Sequence, residues 1–175
     1  MISIRKLSVC SALVAAFLFG TASQSHAQTT PIANGHLKGG PTPVAPAPSI
    51  IDLTFFLVEE SDGSVFGSGK LTKKSDGGWI LFDLNSYVFV GDTLYAAGPI
   101  THTHNSDGTF QVGDTFFMAV EDNGDGGNST DMDAFLEGVV PAAFGPMTIQ
   151  EILAIVGPAP SEIFRQGILG NFRFH

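Results

Sequence analysis

The chain has 175 residues, a formal net charge of −9 at pH 7 and one cysteine, Cys10. A single thiol excludes a disulfide framework within the chain and a zinc site built from several thiolates. The excess of acidic over basic residues repels phosphate backbones and anionic lipid surfaces, so we expect no nucleic-acid partner. Cations, sugars and neutral ligands are compatible with this charge.

The first 27 residues have the three parts of a bacterial-type secretory signal peptide. Arg5 and Lys6 form a basic start, residues 9–20 are apolar, and residues 25–27 supply a small-residue ending. The apolar stretch is shorter than the roughly 20 residues of a membrane-spanning helix. We therefore expect a secreted or periplasmic protein, cleaved before Gln28 and without membrane insertion. Cleavage would remove the cysteine and leave a net charge of about −11.

Residues 28–49 are rich in Pro, Gly, Ala and Thr and contain few side chains large enough to pack. This composition predicts a linker or an extended arm, within which residues 34–37 could add a short edge strand. Residues 50–175 have the length of one domain with an ordinary core.

Strand patterns recur at short intervals after residue 50 and are separated by turn residues. The predicted strands are Ile51 to Leu57, Val65 to Leu71, Trp79 to Val90, Thr93 to Thr103 and a terminal strand around Phe172 and Phe174. This pattern predicts an all-β fold, either an antiparallel sandwich or a small barrel.

One short helix is predicted near the C-terminus. Thr148 and Glu151 have the spacing of a capping box. Apolar residues follow at the spacing of a helix face, and Gly157 and Pro158 end the pattern.

The tetrapeptide Val-Gly-Asp-Thr occurs at residues 90–93 and again at residues 112–115. Glycine permits a sharp bend, and aspartate accepts hydrogen bonds from nearby backbone amides. Each copy therefore predicts a tight turn that leads into a strand.

Three segments together resemble a family of small secreted bacterial proteins, often labelled post-COAP-type domains. They are residues 112–115, Val120-Glu121-Asp122-Asn123-Gly124-Asp125-Gly126-Gly127, and Gly170-Asn171-Phe172-Arg173-Phe174-His175. The resemblance covers roughly residues 69–175 and implies an exported β domain, without implying a particular reaction or ligand. The chain departs from the family pattern at Asp125, where Glu is usual, and in the helical insert near Ile149.

Carboxylate and amide side chains are concentrated in residues 121–133. Oxygen ligands at alternate positions around a glycine are typical of calcium loops. The predicted calcium ligands are Glu121, Asn123, Asp125, Asp131 and Asp133. Met132 stands at the twelfth position, where such loops have a bidentate Glu, so a solvated acidic hairpin loop is the alternative.

Other chemistry has weaker support in the sequence. His102 and His104 lie two apart on a predicted strand and therefore on one face, as a metal pair requires, but no third ligand is identifiable. Asp131 and Asp133 are candidates for an acid/base pair whose separation the spacing does not determine. The chain contains neither a phosphate-binding loop nor a nucleophile elbow.

Two functional hypotheses follow. The first is a secreted, non-catalytic binding or structural module, stabilised by calcium, whose partner is a small ligand or an extracellular molecule. The alternative is an enzyme or a small-ligand carrier with an apolar pocket inside a barrel lined by Phe55, Phe82, Phe116 and Trp79. A barrel filled by side chains favours the first hypothesis, and an open interior favours the alternative.

Overall fold

The computed structural model describes residues 29–40, 50–105, 108–123 and 133–175, apart from the side chains of residues 161 and 168–171. The strands are β1 (Thr29–Gly39), β2 (Ile51–Glu60), β3 (Val65–Lys73), β4 (Trp79–Leu84), β5 (Ser86–Val90), β6 (Thr93–His104), β7 (Thr115–Glu121), β8 (Ala134–Val140) and β9 (Arg165–Phe174). The helix α1 spans Ile149–Val156, and short 3-10 turns span Ala142–Phe144 and Ser161–Ile163. The predicted signal peptide lies outside the described residues.

The strands form one antiparallel sheet in the order β4-β3-β2-β1-β9-β8-β7-β6-β5. β4 also pairs with the C-terminal half of β6, which closes eight strands into a ring, while β5 pairs with the N-terminal half of β6. The shortest described pairing in the ring is between β8 and β9, where Ala134 pairs with Gln166 and Phe135 pairs with Arg165. The predicted all-β antiparallel fold is therefore confirmed, as a ring-like sheet less regular than a barrel.

Large apolar side chains fill the ring. On β2, Ile51, Leu53, Phe55 and Leu57 are at most 3% exposed, as the alternation predicts for inward-facing residues. Side chains from strands that are not paired with each other meet in the interior. The rings of Phe82 and Phe116 stack with their centroids 4.1 Å apart.

The prediction that Trp79 lines the interior was wrong. Ile80 and Phe82 are buried inside the ring, and alternation along β4 therefore directs Trp79 outward. On the outer face the indole lies under the Lys70 ammonium, with Nζ 5.6 Å from the ring centroid, and beside the ring of His104.

The expectation of an edge strand at residues 34–37 was also wrong, because this segment is part of an interior strand. Thr29–Gly39 pairs with β2 on one side and β9 on the other, and Leu37 is fully buried. Pro31 lies at a register shift of the β1–β2 pair, a position that tolerates the missing amide hydrogen. The proline-rich residues 41–49 lie outside the described residues.

Two local predictions are confirmed at the C-terminal helix and at the repeated tetrapeptide. Thr148 and Glu151 form a reciprocal capping box at the start of α1. Gly91 and Gly113 both have positive φ angles, of 61° and 92°, as the tight turns require. The long strand predicted from Trp79 to Val90 is interrupted at Asn85 and forms β4 and β5.

Candidate functional site

Three of the predicted calcium ligands, Glu121, Asn123 and Asp133, are among the described residues. Asp125 and Asp131 lie outside them, and so therefore does one member of the predicted acid/base pair of Asp131 with Asp133. Among the described residues, no group of three or more His, Cys, Asp or Glu side chains lies close enough together to hold a metal ion. The calcium site stays a prediction.

The carboxylate of Asp133 accepts hydrogen bonds from two backbone amides. Asp133 is 2% exposed. Its Oδ1 accepts from the Asn123 amide at 3.0 Å, and its Oδ2 accepts from the Phe172 amide. Its own carbonyl accepts from the Gly167 amide at 2.9 Å. Because charged acceptors form the stronger hydrogen bonds, Asp133 connects the beginning of the acidic loop to β9.

A second acidic residue has the same role on β9. Asp122 Oδ2 accepts from the Phe174 amide at 3.2 Å. Phe172 and Phe174 are two apart, and both lie beyond the two described β8–β9 pairs. Backbone amides that lose a strand partner need another acceptor when they are buried. The carboxylates of Asp122 and Asp133 provide it, so both have a structural role.

Glu121 lies on the outer face of the sheet, opposite Thr93. Thr93 Oγ1 is 3.4 Å from Glu121 Oε1. Burial raises the pKa of Glu121, and the hydrogen bond from Thr93 partly opposes this. The negative charge of Glu121 in turn contributes to a raised pKa of the neighbouring Tyr95.

His102 and His104 lie on the same face of β6, as predicted, and both are exposed on its outer side. A nitrogen of His102 is 3.3 Å from Thr101 Oγ1, and the ring of His104 stacks against Trp79 with centroids 6.0 Å apart. Neither contact involves a further metal-binding side chain.

An apolar cavity of about 270 Å³ lies between α1 and the outer face of β6, β7 and β8. Its floor consists of Tyr95, Phe117, Ala119 and Leu136. Its roof consists of Ile149, Ile152, Leu153, Val156, residues 157–160 and Ile163. Of these lining residues, Tyr95 alone has a polar side chain. Because it lies on the outer face of the sheet, this cavity is separate from the filled interior of the ring.

Polar contacts hold the beginning of α1 against β5. Ser86 is 7% exposed, and its Oγ accepts a hydrogen bond from the Ile149 amide at 3.0 Å. Gln150 Nε2 donates to the Tyr87 carbonyl at 2.8 Å. At the other end of the helix, Val156 lines the cavity and is 67% exposed. The cavity therefore reaches the surface beside the C-terminal end of α1.

Tyr95 contacts the chain that follows α1. Its hydroxyl oxygen accepts from the Ala159 amide at 3.1 Å. The contact from the hydroxyl to the Ala159 carbonyl is 3.5 Å, which is long for an O–H···O hydrogen bond. Burial is the main cause that raises the pKa of Tyr95, so its hydroxyl remains protonated at neutral pH.

A buried ion pair lies where β8 and β9 separate. Arg165 Nε is 2.8 Å from Glu137 Oε1 and 3.0 Å from Oε2, and Nη2 is 2.6 Å from Oε1. Arg165 Nη1 also donates to the Gly40 carbonyl at 3.0 Å. Burial raises the pKa of Glu137, and the contacts with Arg165 partly oppose this.

The sequence did not indicate the cavity. Its floor comes from residues that point outward on β6, β7 and β8, where alternation normally places polar side chains. Ala97 and Ala119 occupy such positions and are buried under α1. Small apolar residues at outward positions, together with a nearby amphipathic helix, are the signal that a helix covers this face.

Among the described residues, no helix has the length and apolar character needed to cross a membrane. Comparison of the chain with family models, with curated proteins and with solved structures found no match. The resemblance to post-COAP-type domains stays a prediction.

Proposed function

We propose that this domain is a secreted, non-catalytic binding module that holds a small apolar molecule in the cavity beneath α1. The cavity is the observation that carries the proposal. Ligand sites are typically concave, mostly apolar and largely preformed, with a few polar groups that orient the ligand. The cavity beneath α1 has this character. Its wall includes the apolar side chains of Phe117, Leu136 and Ile152, and Tyr95 supplies one polar group.

The filled ring supports a binding module over the alternative of a barrel enzyme or carrier with an interior pocket. Phe82, Phe116 and Phe135 are at most 1% exposed and occupy the space that an interior ligand would need. A non-catalytic role is supported by the cavity wall itself. General acid/base or nucleophilic chemistry needs paired polar groups, and the described lining offers a single tyrosine.

The size of the cavity limits the ligand. A dry cavity of about 150 Å³ accepts benzene. By proportion, the volume beneath α1 fits a ligand of roughly ten non-hydrogen atoms. Because the cavity reaches the surface at Val156, a longer apolar chain would extend past the end of the helix.

The test is a titration of the isotope-labelled mature protein with ethylbenzene, followed by amide chemical shifts. We expect saturable shifts concentrated at the cavity residues. In Ala119→Phe the added ring occupies the floor, and we expect binding to fall by at least tenfold. Far-UV circular dichroism checks that the variant folds, and Leu153→Phe replaces it if it does not.

The matched control is Thr54→Phe, which adds the same ring to an exposed position on β2. It should bind ethylbenzene like the parent protein. Equal affinity of the parent and a folded, cavity-filled variant would refute the proposal, as would a parent protein that shows no saturable shifts.

A further inference from the structure

We infer that the ligand of the cavity is a neutral molecule with one hydrogen-bond acceptor oxygen, such as a ketone, ester or ether, which binds the hydroxyl of Tyr95. This inference rests on the proposed function, since it names the class of ligand for the same cavity. It follows from two properties of the cavity, the absence of charge on its described wall and the poor partner of the Tyr95 hydroxyl.

A charged ligand group has no counterion on the described wall. Every lining residue with a described side chain is uncharged. Burial of a charge without a partner is far more costly than burial of a neutral polar group. The negative charge of Glu121 acts on Tyr95 and would repel a carboxylate placed beside it. A carboxylate ligand is therefore disfavoured twice.

The O–H group of Tyr95 donates a long, weak hydrogen bond within the protein. Its oxygen accepts a good hydrogen bond from Ala159, but the Ala159 carbonyl is 3.5 Å away, whereas O–H···O bonds are usually about 2.7–2.8 Å long. A ligand oxygen at the usual distance would be the better acceptor. Such a ligand would be oriented by Tyr95, with its hydrocarbon part against Ala119 and Leu136.

The experiment compares acetophenone with ethylbenzene, which has a similar shape and lacks the oxygen. Both are titrated into the parent protein and into Tyr95→Phe, with affinities measured by amide chemical shifts. We expect Tyr95→Phe to weaken acetophenone about fivefold, as loss of one net hydrogen bond predicts. Its affinity for ethylbenzene should not change. Phenylacetate and phenethylammonium should each bind the parent at least tenfold more weakly than acetophenone.

Tyr87→Phe is the matched control, because it removes the hydroxyl of the other tyrosine, which is bonded to Glu59. It should leave both affinities unchanged. If Tyr95→Phe weakens both ligands equally, Tyr95 holds the cover of the cavity and the inference is wrong. It is also wrong if Tyr95→Phe affects neither ligand, or if a charged probe binds more tightly than acetophenone. In each of these cases the proposed function stands as long as ethylbenzene binds the parent protein; failure of ethylbenzene to bind would overturn both.

Discussion

Acidic side chains in this domain support the backbone at several places where strands lack a partner. Asp114 is 6% exposed and accepts from the Gln111 and Ala142 amides, each at 2.9 Å. Asp133 does the same for the acidic loop and β9. A high density of carboxylates in the sequence is therefore compatible with structural roles as well as with metal binding.

Asp133→Asn should destabilise the domain by about 2 kcal/mol, because Asn has a single acceptor oxygen and one of the two backbone amides loses its acceptor. Urea unfolding of the protein measures this loss. Asp92→Asn is the control, since it makes the same chemical change at an exposed aspartate in the turn before β6. A loss no larger for Asp133→Asn than for the control would contradict the structural role.

The chain has two tyrosines, and Tyr87 should titrate at unusually high pH. Tyr87 donates to Glu59 Oε2 at 2.6 Å, and this hydrogen bond is the largest of the causes that raise the pKa of Tyr87 to about 12. Phenolate absorbance of Tyr95→Phe isolates this group. Glu59→Gln should bring the pKa back toward its ordinary value of 10.0.

The same shift predicts a change in stability. The pKa of Tyr87 is higher in the folded chain than in the unfolded chain, so its contribution is complete below pH 10 and is lost as the pH rises toward about 12. Tyr87→Phe should flatten this part of the stability profile. An unchanged profile, with folding checked by circular dichroism at each pH, would contradict the assignment.

At the scale of elements, the alternation of side chains predicted the inward faces of the strands well. Ile80 and Phe82 follow it, and the helix was predicted from its capping box and apolar spacing. The sequence did not predict β1 as an interior strand, because Pro31, Asn34 and Gly35 interrupt its apolar pattern. Pairing with β2 and β9 on its two sides stabilises this strand. Pairing between distant segments leaves no local signal. The same reason hid the cavity, which needs α1 to pack on distant strands.

The loop between β7 and β8 is the element for which calcium remains a prediction. If the loop binds calcium, the ion stabilises the folded chain by RT ln(1 + [L]/Kd), or about 2.7 kcal/mol at a hundredfold excess over Kd. Thermal melting in calcium and in chelator, at constant ionic strength, separates binding from charge screening. Asp125→Ala should abolish the calcium-dependent part. A parent melting temperature that is indifferent to calcium would leave the solvated-loop alternative.

At the scale of the whole molecule, the ring contains one boundary, between β8 and β9, at which little strand pairing is described. β8 and β9 share two described residue pairs, and the buried Glu137–Arg165 ion pair lies beside them and reaches the end of β1. The ion pair therefore joins three strands where the described pairing is shortest. The sequence could not indicate it, because the two residues are 28 positions apart.

Arg165→Met should destabilise the domain at neutral pH by about 3–5 kcal/mol, because the buried Glu137 carboxylate loses the partner that partly offsets its burial. Replacing both residues, as Glu137→Met with Arg165→Met, should recover much of this loss, since buried ion pairs exchanged for apolar side chains are often close to neutral. Urea unfolding of the single and double variants measures both effects. A double variant as unstable as the single one would show that geometry, not unpaired charge, is decisive at this boundary.

The pH profile of Glu137 provides a second check on the same pair. Burial raises its pKa above the ordinary 4.5, so the folded chain holds the Glu137 proton more tightly than the unfolded chain does. The contribution of this residue to the free energy of unfolding is therefore largest below pH 4.5 and is lost as the pH rises through the raised value. Unfolding in urea across this range should show a downward slope that is smaller in Glu137→Gln. Equal slopes in the two proteins would mean that the ion pair with Arg165 outweighs burial and that the pKa of Glu137 is not raised.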